Sequence, residues 1–364
     1  MNKRVGLALL VLLLLLPTAR AEEESLYTLV DENGAAVTHY IGLPEAGDEY
    51  IARDNSHYVV RSVDEKTHTA VAQLQGTYQM PSVEWLRDGD VTQPVSGGSS
   101  QAVAIYCTHS DESYVPNDGL HSEMPRGSIY DVAESLKANL EELGVTVYYD
   151  DETHHPHDSG AYRRSRATAE GLLKNNVDAI FDVHRDGIED PGQYETTIEG
   201  KEASMVRLLV GRSNQNGAEN KAFAVELKAV ADEIYPELIR DIYIGKGSYN
   251  QDLSPNAVLL EFGTHTIDKE LAKRSTQYMA EAIQKTLYGG VSGAAPNGVQ
   301  EAKTTGDAQR EKGAWSGVGW ALGAVVVGVI IFALAATGGF KPAMHKIKDG
   351  AREMTGGLFG KKKK

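Results

Sequence analysis

The sequence predicts an α/β domain with a mostly parallel sheet flanked by helices, preceded by a small β-rich module and followed by a stalk and one transmembrane helix. Three observations predict it. Short apolar runs recur at 102–107, 177–183 and 256–260, and each breaks abruptly into polar residues. Amphipathic helical stripes lie between those runs, the alternation expected of parallel strands joined by helices. Finally, an uncharged stretch at 313–340 is longer than the roughly 20 residues that a membrane span needs.

Taken in order, residues 1–21 carry a short basic start (Lys3, Arg4), an apolar stretch and an Ala19-Arg20-Ala21 ending, the pattern of a cleaved secretory signal. Residues 22–95 contain alternating pieces, among them Tyr27-Thr28-Leu29-Val30 ahead of the hairpin signal Asp31-Glu32-Asn33-Gly34. They form the small β-rich module, and Ser96-Gly97-Gly98-Ser99-Ser100 closes it as a flexible joint.

Residues 101–288 are the main domain. Ser128 with Asp131 marks a helix start, a relative of the capping box. The stripe Ile129, Val132, Ala133, Leu136, Leu140 and Leu143 follows and ends at Gly144. Strands are expected at 145–149 and 205–210. Further helices are expected around Phe223 to Ile234, stopped by Pro236, and at 269–287. Residues 289–312 read as a stalk. In 313–340, Trp315 and Trp320 sit where interfacial aromatics belong, and Gly319 with Gly323 fits a span–span contact. The tail, 341–364, holds seven Lys and one Arg against one Asp and one Glu, which places it in the cytoplasm and the body outside. The expected location is thus the cell membrane, with a single pass.

Composition narrows the functions. Net charge is −15, and the body is more acidic still once the basic signal and tail are set aside. Such a surface excludes nucleic acid bound through its phosphates. It suits an exported enzyme that must not stick to an anionic wall. The single cysteine, Cys107, rules out an internal disulfide, so stability depends on the core.

The chemistry sits where the apolar runs end. Thr108-His109-Ser110-Asp111-Glu112 follows the first, His184-Arg185-Asp186 the second and Glu261-Phe262-Gly263 the third. Open α/β sheets bind ligands beyond the carboxyl ends of their strands, so these segments can share one rim. His109, Glu112 and His184 are two imidazoles and a carboxylate, a donor set for a catalytic zinc that leaves one position open. Glu261, on a strand of its own, is left to move protons as the catalytic carboxylate. Glu123 competes with Glu112 as the carboxylate ligand, and His121 is a further candidate for ligation or substrate contact. The run His154-His155-Pro156-His157-Asp158 reads as a polar loop over the cleft rather than a ligand source. Arg185 and Asp186 brace the site, and Asn250 and Gln251 line the groove.

The segment Ile105-Tyr106-Cys107-Thr108-His109-Ser110-Asp111-Glu112-Ser113-Tyr114 resembles the first signature block of the stage II sporulation protein P family. Asp182-Val183-His184-Arg185-Asp186 resembles its second. Tyr249-Asn250-Gln251-Asp252-Leu253-Ser254-Pro255 and Leu259-Leu260-Glu261-Phe262-Gly263 resemble the rest, in the same order. The resemblance implies an amidase-like fold and a zinc-dependent hydrolase related to N-acetylmuramoyl-L-alanine amidases. Such an enzyme cuts peptidoglycan between muramic acid and the stem peptide, and endopeptidase activity on cross-links is also ascribed to the family. It further implies stage II sporulation proteins D and M as partners during engulfment. Cys107 stands where the family carries a first histidine, so His109 is the ligand here. The C-terminal span replaces the N-terminal anchor usual in the family. The alternative reading is a wall-binding protein on an inactive hydrolase fold. The His–Glu–His set with a separate Glu261 argues against it, since binding alone needs no proton-transfer carboxylate.

Overall fold

A computed structural model describes residues 25–86, 101–158 and 160–289. The signal, the joint, most of the stalk, the membrane span and the basic tail lie outside the described residues. Among those described, no helix is long and apolar enough to cross a membrane.

The fold is built on one eleven-stranded sheet with the strand order β2-β1-β5-β4-β3-β12-β11-β13-β8-β6-β7. The N-terminal strands are β1 (Leu26–Val30), β2 (Ala36–Ile41), β3 (Glu49–Ala52), β4 (Ser56–Asp64) and β5 (Thr69–Thr77). The remaining six are β6 (Ala102–Tyr106), β7 (Thr146–Tyr149), β8 (Ala179–Asp186), β11 (Val206–Gly211), β12 (Ile239–Gly245) and β13 (Ala257–Thr264). Between β8 and β11, β9 (Glu195–Ile198) and β10 (Lys201–Ser204) form a separate hairpin.

Two features differ from the sequence reading. The sheet is mixed: β7, β6, β8 and β13 run parallel, but β11 pairs antiparallel with β13 and parallel with β12. The N-terminal strands also do not stand apart. β3 pairs antiparallel with β12, Ile242 opposite Ile51, and carries the sheet on into the N-terminal segment. An edge such as β12, with every residue buried, is covered by that pairing rather than left open to solvent.

Local chemistry explains the individual elements. At the first hairpin, Gly34 adopts φ +83°, and Asp31 Oδ1 accepts from the Asn33 and Ala35 backbone N–H groups, both at 2.8 Å. Helix α1 (Ile129–Glu142) buries Ile129, Val132, Ala133, Leu136 and Leu140 on one stripe. Ser128 does precede it, but its hydroxyl donates to Asp118 rather than capping the helix. The expected capping box is therefore absent. Helix α2 (Ala161–Leu173) leads into β8. Helix α3 (Gly217–Ile234) stops just before Pro236, and α4 (Lys269–Tyr288) is capped by Asp268, which accepts from the Glu270 N–H at 2.9 Å.

The core is divided between the two faces of the sheet. One large cluster joins α1, α3 and α4 to the sheet through Val103, Ile105, Val183, Leu208, Ile242 and Leu260. On the other face, α2 covers Ala104, Tyr106, Ile180 and Ala257. Tyr50, Val60 and Ala72 of the N-terminal strands cover Leu209, Tyr243 and Leu259. That second face carries the polar residues described next.

Candidate active site

Residues paired across neighbouring strands point to the same side of a sheet. A row of such partners crosses four strands here: Asp241 of β12, Arg207 of β11, Glu261 of β13 and His184 of β8. Alternation along β8 adds Asp182 and Asp186 to that face. His109 lies three residues beyond β6, which pairs with β8. The sequence-predicted residues thus gather at the carboxyl ends of three adjacent strands.

His109 and His184 meet with ring centroids 5.1 Å apart, and both are buried. His184 Nδ1 lies 3.3 Å from Glu112 Oε1, and its Nε2 lies 3.0 Å from Asp182 Oδ1 without the direction of a hydrogen bond. Glu112 Oε2 accepts from the Arg185 backbone N–H at 3.0 Å. Asp182 is fixed in turn, accepting from the Thr108 N–H at 2.8 Å and the Thr108 hydroxyl at 2.7 Å.

These surroundings split the two histidines. Burial and then the neighbouring His184 and His157 hold His109 well below the usual imidazole range. Burial opposes protonation of His184 as well, but Asp182 and Glu112 overcome it and hold that ring well above the usual range. Glu112 is likewise pushed up by burial, yet His184 and Arg185 bring it below the ordinary carboxylate value.

The donor set can be tested against a zinc ion on these observations. His109 Nδ1 is buried and has no hydrogen-bond partner among the described residues, as expected of a nitrogen kept for a ligand. Two imidazoles and a carboxylate are the right donor types. Among the described residues no three His, Cys, Asp or Glu side chains converge closely enough to hold an ion as they stand. Glu112 instead stands against His184 Nδ1, while His184 Nε2, like His109 Nδ1, is buried with no hydrogen-bond partner among the described residues. The residues fit zinc in kind: His109, Glu112 and His184 would hold it.

Glu261 keeps 15% of its side chain exposed. Its Oε2 lies 3.3 Å from the Tyr194 hydroxyl and 3.9 Å from Arg207 Nη1. Burial, and after it Asp186, raises its carboxyl to about 8, against the pull of Arg207. That value suits a group that must both take and return a proton near neutral pH.

The remaining candidates are placed as follows. Glu123 is exposed, and its backbone N–H donates to the Asp111 carbonyl at 2.8 Å, so Glu112 rather than Glu123 stands against His184. His121 is exposed on the rim, its ring 6.0 Å from that of His265. Arg185 braces the loop by donating to the His121 carbonyl at 2.7 Å. Gln251 is committed to the backbone of Leu209 and Gly211, and Asn250 to the Tyr162 carbonyl.

The histidine loop divides. His154 is a structural residue, bonded to the Cys107 carbonyl and the Thr168 hydroxyl at 2.9 Å each. His157 enters the site: its ring lies 3.9 Å from that of His109, and its Nδ1 is 3.1 Å from Asp111 Oδ1. Tyr162 of α2 also faces both of the paired histidines, edge-on to His109 at 5.4 Å and stacked with His184 at 6.4 Å. Sequence reasoning missed Tyr162, Tyr194 and Arg207. The spacing of Asp182, His184 and Asp186 by two was the available signal that one strand face is polar.

Comparison with known proteins gives concordant findings. The family model described as Stage II sporulation protein P (SpoIIP) matches residues 43–284. The Stage II sporulation protein P of Bacillus subtilis (strain 168) is 29% identical over 211 residues, which cover 52% of this chain and 52% of that protein. The chain therefore spans about half the length of that relative. Among solved structures, the catalytic domain of CwlV, an N-acetylmuramoyl-L-alanine amidase of Bacillus (Paenibacillus) polymyxa var. colistinus, is 18% identical with a TM-score of 0.34. It covers 51% of this chain and 97% of its own. The CwlD amidase of Clostridioides difficile, solved with the GerS lipoprotein, is 16% identical with a TM-score of 0.34. It covers 51% of this chain and 98% of its own.

Proposed function

The chain belongs to the stage II sporulation protein P family, and from that premise we propose that it is a membrane-anchored peptidoglycan hydrolase. Its substrate is the amide between N-acetylmuramic acid and the stem peptide, with cross-link peptides as a second target. Its setting is sporulation, alongside stage II sporulation proteins D and M. The observation that carries this reading is the register pairing of Glu261 with His184, beside His109 on the next strand connection. That pairing supports a proton-transfer carboxylate working beside a metal-type donor set, and amide hydrolysis uses both.

His109, Glu112 and His184 would hold a zinc ion, which when bound supplies Lewis acidity toward the scissile carbonyl and the attacking water. The rest falls to the chain's own side chains. Oε2 of Glu261 faces the Tyr194 hydroxyl and Arg207, which leaves Oε1 to take the proton from water. The same oxygen returns it to the departing nitrogen, without which the amine is a poor leaving group. Tyr162 forms a wall beside the two histidines and limits water around the reacting atoms.

Release of dye from covalently labelled sacculi tests this directly, with chelated and zinc-restored protein compared side by side. Release that depends on zinc is expected. Sacculi that sediment with the protein but release nothing would favour the wall-binding alternative.

A further inference from the structure

Arg207 is fully buried at the centre of the polar row. Its Nε donates to Asp241 Oδ1 at 2.7 Å and its Nη2 to Oδ2 at 3.1 Å, a two-pronged grip that sets the plane of the guanidinium. Nη1 donates to Asp186 Oδ2 at 3.0 Å and is the nitrogen nearest Glu261. Asp186 Oδ2 also accepts from the Tyr194 hydroxyl at 2.7 Å. One acceptor set for Nη2 comes from an unexpected place. The His39 carbonyl lies 3.0 Å away and the Thr38 hydroxyl 3.4 Å away, and the same hydroxyl accepts from Arg240 Nη2 at 3.2 Å.

Thr38 and His39 belong to β2, the far edge of the N-terminal sheet, which must curl back over the site face to reach Arg207. Neighbouring contacts hold it there. Tyr40 stacks on Tyr243 with centroids 4.0 Å apart and planes 8° from parallel. Ile41 sits so close to Gly187, just past Asp186, that a Cβ there would lie 3.2 Å from it. All four of these β2 residues precede residue 43, where the family match begins.

We propose that the β1–β2 hairpin is a positioning element of the active site: Thr38 and the His39 carbonyl fix Arg207, and Arg207 with Asp186 and Tyr194 fixes the Glu261 carboxylate. Thr38 and Arg207 are positioning residues, since neither reaches the reacting atoms. The inference rests on Glu261 being the proton-transfer carboxylate. Without the Thr38 acceptor, two buried guanidinium groups lose a partner and Arg207 is free to turn toward another.

Two readouts on the full chain, purified with detergent, test it. The first is a double-mutant cycle in denaturant unfolding between Thr38→Val and Glu261→Gln. Coupling through Arg207 predicts a departure from additivity of at least about three-fold in the unfolding constant. Additive effects would overturn the proposal. The second is turnover of labelled sacculi. Thr38→Val is expected to lower kcat about ten-fold with KM little changed, as misplacement of a reacting group does, and Thr38→Ser to restore it. A Thr38→Ser enzyme as slow as Thr38→Val, or an unchanged kcat in Thr38→Val, would count against it. If the parent chain released nothing from sacculi, the hydrolase reading would fall, and the unfolding cycle would still decide whether the hairpin is coupled to Glu261.

Discussion

Glu261 shows how its surroundings set the role of a single residue. Its carboxyl is raised from 4.5 to about 8 by burial and Asp186, so folding favours the protonated form. A group of this kind stabilises the fold fully below about pH 4.5 and loses that contribution as pH climbs through about 8. Glu261→Gln has the same shape and no charge to bury. Unfolding midpoints of the two proteins should therefore converge by about pH 4 and separate at pH 9, with the Gln variant the more stable. A pH-independent difference would contradict the assignment. The same variant should keep its zinc and lose on the order of 10²–10⁴ in turnover. By contrast, His184→Ala should lose zinc itself, measured by elemental analysis, because a catalytic site has only three protein ligands to spare. Much of this was legible in sequence because His109, His184 and Glu261 stand at the abrupt ends of apolar runs. Arg207 was not, since an arginine inside a strand reads as solvent-facing until its partners are known. Nor was His157, whose place beside His109 depends on how a loop folds back.

At the scale of elements, α1, α4, β6, β7 and β11 were read from periodicity to within a residue or two, but α3 starts six residues ahead of Phe223, β13 runs four past Leu260, and α2 was not read at all. Nor was strand β12. Its Arg240-Asp241 pair breaks the apolar pattern, yet Asp241 is buried between Arg207 and Arg240, which hold it below the ordinary carboxylate range against the effect of burial. Charge pairing across strands leaves no local signature. The loop that carries Glu112 gives a sharper test. A Cβ on Gly127 would lie 2.1 Å from the Glu112 carbonyl oxygen, and that backbone has no flexible end to yield. Gly127→Ala should cost about 1–3 kcal/mol and weaken zinc binding, read by denaturant unfolding and by competition with a chromogenic chelator. Wild-type zinc affinity in that variant would mean that the loop position does not govern Glu112. On the opposite face, Leu136 of α1 is fully buried. Leu136→Ala should cost roughly 2–5 kcal/mol while the surviving folded protein retains its zinc.

Across the described residues, one sheet joins the N-terminal strands to the site, where the sequence suggested a separate module. The alternating pattern identified the strands, but the strand order depends on which edges pair, and that is decided by distant apolar surfaces. The expected signal, span and basic tail would place the folded body outside the membrane, on a stalk. Protease added to intact protoplasts should remove that body and leave a small membrane-embedded C-terminal fragment. Protection until the membrane is broken would refute the orientation. The central claim is hydrolysis of the muramoyl amide with Glu261 as the proton carrier. Mass analysis of the fragments released from purified sacculi tests it most directly. The account predicts stem peptides with a free L-alanine amine and glycan strands stripped of peptide, both absent with Glu261→Gln. Fragments cut only within the glycan, or the same products from Glu261→Gln, would contradict it.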